Sequence, residues 1–359
     1  MKLQRRTTVF MTKEEQYMQR CLDLATKGLG SVAPNPLVGC VIVHHNQIIG
    51  EGYHKEFGGP HAEVNAISSV KQTGLLPEST LYVNLEPCSH FGKTPPCSDL
   101  IIRQKIKKVV IGSVDPFDLV AGKGIARLRN NGCEVLVGIL KNQCLALNKR
   151  FFTFHEKKRP FIILKWAQTA DGFIDTLRPP DSKLKPAWIT SENLRILVHK
   201  WRSEEPAIMV GTHTALADNP RLNVREWAGK QPLRIVVDRQ LKLPRKLLLF
   251  DNSLETLVLN ALADKKEDKT TFLKLPFDGE LVSLPHLMHY LYEAGIQSVL
   301  VEGGQMLIES FVKQELWDEA RVFSGPQFFG EGIKAPQFKP SNPSHIFIGN
   351  EGFFWFKNY

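Results

Sequence analysis

Residues 60–64 read Pro60-His61-Ala62-Glu63-Val64; after a strand-like run, Thr80 to Leu85, come Glu86-Pro87-Cys88 and then Pro95-Pro96-Cys97. One imidazole and two thiolates make a three-ligand tetrahedral zinc site whose fourth position stays open to water, the arrangement of a catalytic rather than a structural metal. Such a site lowers the pKa of its water to about 7 and supplies hydroxide at neutral pH. Glu63, two residues after His61 at the start of a helix, lies beside that water without ligating the metal. It is suited to carry protons from attacking water to a departing amine. The plain alternative is a chance His-Ala-Glu with two core cysteines, which makes the prolines before His61 and before both cysteines accidents as well.

The elements around this constellation alternate. Glu14 to Lys27 has apolar residues at helical spacing (Met18, Cys21, Leu22, Ala25), and Gly28 and Gly30 follow as stop signals. Strands are predicted at Val38 to Val43, Gln47 to Gly50, Thr80 to Leu85 and Lys108 to Ser113, with helices at Ala62 to Lys71 and Ser98 to Gln104. This is the pattern of an α/β sandwich around a mixed sheet. Asn148 to Pro160 is basic and aromatic, and a domain boundary is expected near residue 150, giving domains of 13–150 and 151–359 after a disordered extension of 1–12. The second half alternates again. Strands are predicted at Phe161 to Trp166, Ala207 to Val210, Leu233 to Val237, Thr256 to Leu259 and Ser298 to Val301, helices at Glu192 to Arg202, Pro285 to Ala294 and Met306 to Gln314, and a strand-like end at Ile346 to Ile348 and Phe353 to Phe356.

The whole chain has 359 residues, a formal charge of +9 and 43% apolar residues, enough for two domains with their own cores. Ordinary apolar content, without inflated Gly, Pro or Cys, excludes a disordered, collagen-like or disulfide-stapled chain. The longest apolar runs, Leu37 to Val43 and Phe161 to Leu164, fall far short of the roughly 20 residues a membrane span needs. Six scattered cysteines suggest reduced thiols or metal ligands, hence the cytoplasm. The positive charge suits nucleic acid or a small phosphorylated substrate, and equally a moderately basic enzyme surface.

His-x-Glu with a Pro-Cys pair resembles the signature of zinc nucleobase deaminases, except that here eight residues, Ser89 to Pro96, separate the cysteines. That longer insertion, with Ala33-Pro34-Asn35-Pro36-Leu37-Val38-Gly39-Cys40-Val41, Gly50-Glu51-Gly52-Tyr53-His54, Leu85-Glu86-Pro87-Cys88-Ser89-His90, and Asp115-Pro116 followed by Val120-Ala121-Gly122-Lys123-Gly124, closely resembles the bifunctional riboflavin-biosynthesis deaminase/reductases. The resemblance runs from about residue 14 to the end. It implies a cytidine-deaminase-like αβα sandwich acting on a diaminopyrimidinone ribosylamine phosphate, with Asn35, His54, His90, Lys93 and Asp115 lining the substrate pocket. Phe117 stands where the family usually has Asn.

In the second half, Leu164-Lys165-Trp166-Ala167-Gln168-Thr169-Ala170-Asp171-Gly172 runs from a strand into a turn, and Val301-Glu302-Gly303-Gly304-Gln305 passes from a strand through two glycines into a helix. Such a junction lets backbone N–H groups and a helix N-terminus approach a phosphate, although a plain left-handed turn explains two glycines about as well. With Val210 to Pro220 and Leu222-Asn223-Val224-Arg225, these segments resemble the family's reductase domain, which implies a dihydrofolate-reductase-like α/β fold and NADPH. Carried over by position, Ala167, Trp188, Thr214, Asp218 and Gly304 to Ser310 contact the cofactor, and Arg202, Leu222, Arg225 and Glu302 the substrate. Two arginines suit a sugar phosphate. Pro186 and Asn219 depart from the family's common Ser and Asp, and no residue type marks a proton donor.

The implied function is zinc-dependent hydrolytic deamination of the pyrimidine followed by NADPH-dependent reduction of the ribosyl chain to ribityl. The expected partner is a small phosphorylated pyrimidine nucleotide rather than nucleic acid or membrane, and a homo-oligomer is compatible with the sequence. A nucleic-acid base deaminase with an appended domain fits His61, Glu63 and the charge, but not the long insertion or the second half. A zinc-stapled binding module needs a fourth ligand, for which His90 is the only nearby residue.

Overall fold

The computed structural model describes residues 11–89, 95–117, 120–177, 187–338 and 343–358. The chain forms two compact units, the first ending at Lys157 and the second beginning at Lys158. The predicted boundary near residue 150 falls instead at the start of a helix, because Phe151 and Phe154, three residues apart, bury one face of Lys149–Lys157.

The first unit's helices are α1 (Lys13–Ala25), α2 (Ala62–Ser69), α3 (Cys97–Arg103), α4 (Lys123–Asn130), α5 (Lys141–Leu147) and α6 (Lys149–Lys157). Its strands are β1 (Gly39–His44), β2 (Gln47–Tyr53), β3 (Thr80–Leu85), β4 (Lys108–Ser113) and β5 (Glu134–Val137), in the order β2-β1-β3-β4-β5. β1 is antiparallel to both neighbours, while β3, β4 and β5 are parallel. Thr12, which the sequence assigns to the disordered extension, is the N-cap of α1 and makes a capping box with Glu15. The other residues of that extension, 1–10, lie outside the described residues, and Met11 precedes the cap.

Strand alternation makes the layers. Cys40, Ile42, Leu81, Val83, Val109 and Ile111 face one side, where they pack with α2, α3 and α4 residues such as Ala66, Ile101 and Leu128. Val41, Val43, Tyr82 and Val110 face the other, against Met18, Cys21 and Leu22 of α1 and Cys144 of α5. Both faces are covered, so the strands read as nearly unbroken apolar runs.

The second unit is built on a ten-stranded sheet. In chain order its strands are β6 (Phe161–Gln168), β8 (Ala207–Val210), β9 (Leu233–Val237), β10 (Thr256–Asn260), β11 (Lys265–Glu267), β12 (Thr270–Lys274), β15 (Ser298–Val301), β16 (Glu319–Ser324), β18 (Ser344–Ile348) and β19 (Glu351–Lys357). β7 (Phe173–Asp175) pairs with β17 (Ile333–Lys334), and β13 (Phe277–Asp278) with β14 (Leu281–Val282). The spatial order is β11-β12-β10-β9-β8-β15-β6-β16-β19-β18; the seven strands from β12 to β16 are parallel. Among the described residues four helices accompany them: α7 (Glu192–Glu204), α8 (Thr212–Asp218), α9 (Leu284–Glu293) and α10 (Gln305–Lys313). Ile162, Leu164, Met209, Ile235, Leu257 and Val299 meet α9 and α10 on one face. On the other, Phe161, Ile163 and Leu300 meet Leu194, Val198 and Trp201 of α7.

Candidate active sites

In the first unit α2 and α3 bring the metal-type ligands together. His61 is the N-cap of α2, Glu63 lies in its first turn, Cys97 opens α3, and Cys88 follows β3. Gly52 of β2 lets α2 sit this close: a Cβ there would stand 2.3 Å from the Ala66 nitrogen. His61 Nδ1 lies 3.6 Å from Cys88 Sγ and 3.3 Å from Cys97 Sγ, and the three ligand atoms fall within 4.8 Å of one another. With metal–sulfur and metal–nitrogen bonds of about 2.3 and 2.0 Å, that spacing and donor set fit one zinc ion. The Cys97 backbone N–H donates to Cys88 Sγ at 3.3 Å, a further aid to negative charge there.

The Cys88 thiol is held well below its ordinary pKa, first by its hydrogen bond with Cys97 and then by the His61 ring, whereas Cys97 is pushed up by Cys88 and by burial. His61 rises to about 9, chiefly through its contact with Cys88. Glu63 is 3% exposed; burial, and then the charge of Cys88, raise its carboxyl above the usual range. A buried carboxyl beside the metal-type ligands stands where a proton carrier between water and amine is needed.

Three predicted pocket residues adjoin this group. His54 Nδ1 lies 3.0 Å from the Pro60 carbonyl oxygen, which accepts its proton, so Nε2 accepts from Asn35 Nδ2 at 3.0 Å. Burial lowers the His54 pKa and keeps the ring neutral, 5.5 Å from the His61 ring. Asp115 is raised to about 7, first by burial, with Glu86 and Cys88 adding negative charge nearby. Its Oδ1 accepts the Phe117 backbone N–H at 2.8 Å, and the Phe117 ring packs 5.0 Å from His155, aromatic packing in place of a polar side chain. His90 and Lys93 lie outside the described residues.

Glu86 was not singled out by the sequence reading. Its Oε2 accepts from the backbone N–H groups of Asp115 at 3.3 Å and Gly122 at 2.9 Å, and its Oε1 from Ile125 at 3.0 Å. One buried carboxylate thereby ties the strand leading to Cys88 to the segment carrying Asp115. Its signal was a charge at the end of an apolar strand, where an unpaired one is rarely left.

In the second unit one cleft of about 990 Å³ is lined by Ala167, Trp188, Thr214, Asp218 and Gly304, and also by Arg202, Leu222, Arg225 and Glu302. It brings together all nine single positions carried over from the family. Gly303 and Gly304 have φ of +149° and +88°, and a Cβ on Gly303 would lie 3.0 Å from the Thr214 methyl. The turn therefore presents bare backbone at the N-terminus of α10, suited to an anionic group. Trp188 is half exposed, with the Arg195 guanidinium 4.8 Å over its ring. Leu222 is buried at φ +48°, a strained conformation for a Leu. Asn219, the departure from the family's Asp, caps α8 at φ +43°, and its Oδ1 accepts the Leu248 N–H at 2.7 Å. Pro186 lies outside the described residues.

Arg202 is already engaged. Its Nε and Nη2 donate to Glu302 at 2.8 and 2.7 Å, and Nη1 to the Asn223 carbonyl at 3.2 Å. Burial opposes ionisation of Glu302, but the charge and hydrogen bonds of Arg202 outweigh it and hold the carboxyl below its ordinary range. Arg225, 42% exposed, is the more open cation, and its backbone N–H donates to Nδ1 of buried His199 at 3.3 Å. Burial, then the charges of Arg202 and Arg225, lower His199 to about 4 and keep it neutral. Lys165, also on the cleft, is lowered by burial and drawn back up by Glu302. It too was missed, though a lone cation in the apolar run Phe161 to Trp166 is itself a signal.

Comparison with known proteins agrees with this division. Residues 11–113 match the cytidine and deoxycytidylate deaminase zinc-binding region, and residues 160–344 the RibD C-terminal domain. The chain is 44% identical over 322 residues to riboflavin biosynthesis protein RibD of Actinobacillus pleuropneumoniae, covering 88% of this chain and 84% of that protein. It is 40% identical over 326 residues to the protein of the same name from Aquifex aeolicus, covering 89% of each. A Thermotoga maritima crystal structure, described as a diaminohydroxyphosphoribosylaminopyrimidine deaminase/5-amino-6-(5-phosphoribosylamino)uracil reductase, superposes with a TM-score of 0.82 at 38% identity, over 96% of this chain and 98% of that one. Acinetobacter baumannii RibD superposes with a TM-score of 0.83 at 31% identity over the same shares.

Proposed function

The chain belongs to the riboflavin biosynthesis protein RibD family, and from that premise we propose how its two sites divide the work. It is a bifunctional deaminase/reductase of riboflavin biosynthesis that uses zinc and NADPH, with a cytidine-deaminase-like first unit and a dihydrofolate-reductase-like second. Its substrate class is a small pyrimidine. By likeness to the Thermotoga protein, the first unit deaminates diaminohydroxyphosphoribosylaminopyrimidine and the second reduces the resulting 5-amino-6-(5-phosphoribosylamino)uracil.

In the first unit His61, Cys88 and Cys97 hold the zinc, which when bound supplies Lewis acidity and hydroxide at neutral pH. Glu63 takes a proton from the attacking water and delivers it to the departing amine. Asn35, kept in place by neutral His54, and Asp115, kept in place by Phe117 and Glu86, orient the ring, joined by His90 and Lys93. The single observation that supports this most is the meeting of three metal-type ligands beside a buried carboxyl that is not one of them.

In the second unit Ala167, Trp188, Thr214, Asp218 and the Gly304 turn hold NADPH, which supplies the hydride. Arg225 meets the substrate phosphate; Leu222, Glu302 and Arg202 complete the substrate side, with Arg202 first of all neutralising Glu302. Buried cations in the cleft are a use of positive charge that requires no nucleic acid. Among the described residues no helix is long and apolar enough to cross a membrane. Zinc-ligating thiolates and free cysteines support a cytoplasmic setting, and a homo-oligomer is open to light scattering.

The test is to offer the purified protein the pyrimidine nucleotide and, separately, RNA. Ammonia release from the nucleotide alone, followed by NADPH oxidation, is the expected result. Release from RNA, or no NADPH oxidation with the deaminated product, would overturn the reading.

A further inference from the structure

We propose that His44, His45 and Glu78 form a second metal site, for a divalent transition-metal ion of the zinc class, at the opposite end of the β1–β2 hairpin from the catalytic ligands. One nitrogen of each imidazole and one Glu78 carboxylate oxygen lie within 4.8 Å of one another. Two imidazoles and a carboxylate are a donor set that zinc accepts, and one that also suits nickel and copper.

The local backbone accounts for the convergence. Neighbouring residues on a strand point to opposite faces, but His44 ends β1 and pairs with Gln47, leaving His45 and Asn46 as a two-residue turn with φ of +45° and +63°. That turn folds the His45 ring back against the His44 ring, with centroids 4.1 Å apart. β3 runs antiparallel on the other side of β1 with Val43 opposite Thr80, which brings Glu78 alongside. The Tyr17 hydroxyl donates to the Asn46 carbonyl at 2.9 Å and holds the turn against α1.

Two details separate this cluster from an ordinary surface ion pair. His44 Nε2 is buried and has no hydrogen-bond partner, an arrangement that costs free energy unless something else satisfies the atom. The Glu78 carboxylate faces it at 3.6 Å, too far for a hydrogen bond. Two ligands on one ion with bonds of about 2.0–2.1 Å stand roughly 3.3 Å apart in a tetrahedron, and the catalytic ligands show the same spacing at 3.3 and 3.6 Å. His45 and Glu78, the outer two ligands, are exposed to solvent. The five steps along β1 from Gly39 to His44 place it about 17 Å from the end where Gly39 and Tyr53 lead to His54 and His61.

The experiment is calorimetric titration of the full chain with zinc, with metal content measured in parallel, on the wild type, His45→Asn and Glu78→Gln. Asn suits a turn of this left-handed kind, so the first variant removes a ligand without disturbing the fold. The wild type is expected to bind two equivalents. Each variant should keep one and bind the other roughly tenfold or more weakly. A wild type that binds one equivalent, or a second equivalent of unchanged affinity in both variants, overturns the proposal.

Discussion

All six cysteines lie in the first unit and all six tryptophans in the second, and the two sites differ in the same spirit. The first is made of side-chain donors: an imidazole and two thiols within 4.8 Å of one another, with the buried Glu63 carboxyl beside them, gathered by the starts of two helices. The second is made of surfaces: a bare glycine turn at a helix end, a buried Arg202–Glu302 pair and a long cleft. A site of donors fails when one atom is lost, whereas a site of surfaces fails when its shape or its charge balance does.

The sharpest way to break that contrast is Glu63→Gln. It keeps the volume and the hydrogen-bonding reach but not the proton-carrying chemistry, so ammonia release should fall on the order of 10²–10⁴-fold, with zinc content and NADPH oxidation unchanged. Near-normal release would remove Glu63 from the chemistry. Arg202→Ala should act differently, through stability. It leaves the buried Glu302 charge without its partner, at a cost of about 3–5 kcal/mol. Because every tryptophan is in the second unit, a fluorescence-monitored denaturation reads that loss, and an unshifted midpoint would contradict the buried pair.

Glu86→Gln sharpens the comparison from the other side. Both carboxylate oxygens accept backbone N–H groups, so an amide must turn its own donors on one of them. A penalty of about 1–3 kcal/mol should appear as a raised KM for deamination with zinc retained; loss of zinc instead would make Glu86 a support of the metal alone. The smallest effect is a pH dependence. Folded His199 resists protonation down to about 4, whereas the unfolded chain takes the proton near 6.5. Its contribution to stability is therefore complete above 6.5 and is lost as pH falls toward 4. Denaturation midpoints by tryptophan fluorescence should fall less over that window in His199→Gln than in the wild type.

What was legible in the sequence follows the same division. The strands β1, β3, β4, β6, β8, β9, β10 and β15 are apolar runs and were readable as such, as were α2, α7, α9 and α10. β16 was not, because Glu319–Ser324 puts Glu319 and Arg321 into a buried strand, where Nη2 of Arg321 donates to Glu319 at 3.2 Å and the two charges interrupt the apolar run. α6 reads as a basic aromatic linker until its Phe151 and Phe154 find a core, and α8, of seven residues, is too short to show a period. At the sites, His61, Glu63, Cys88 and Cys97 stood out through residue type and spacing, and the structure brings them together. The reductase positions came only through family likeness, since backbone donors and cleft walls have no residue signature. Glu86, Lys165 and His199 were missed because each acts through neighbours distant in sequence.

If each unit carries a complete chemistry of its own, removing the metal from the whole protein should silence one activity and spare the other. After chelation and removal of free metal, ammonia release from the diaminopyrimidine nucleotide should vanish and return with added zinc. NADPH oxidation by the deaminated substrate should continue throughout at the rate of the untreated enzyme. Loss of both activities together, with the second unit's tryptophan signal showing it still folded, would contradict the account.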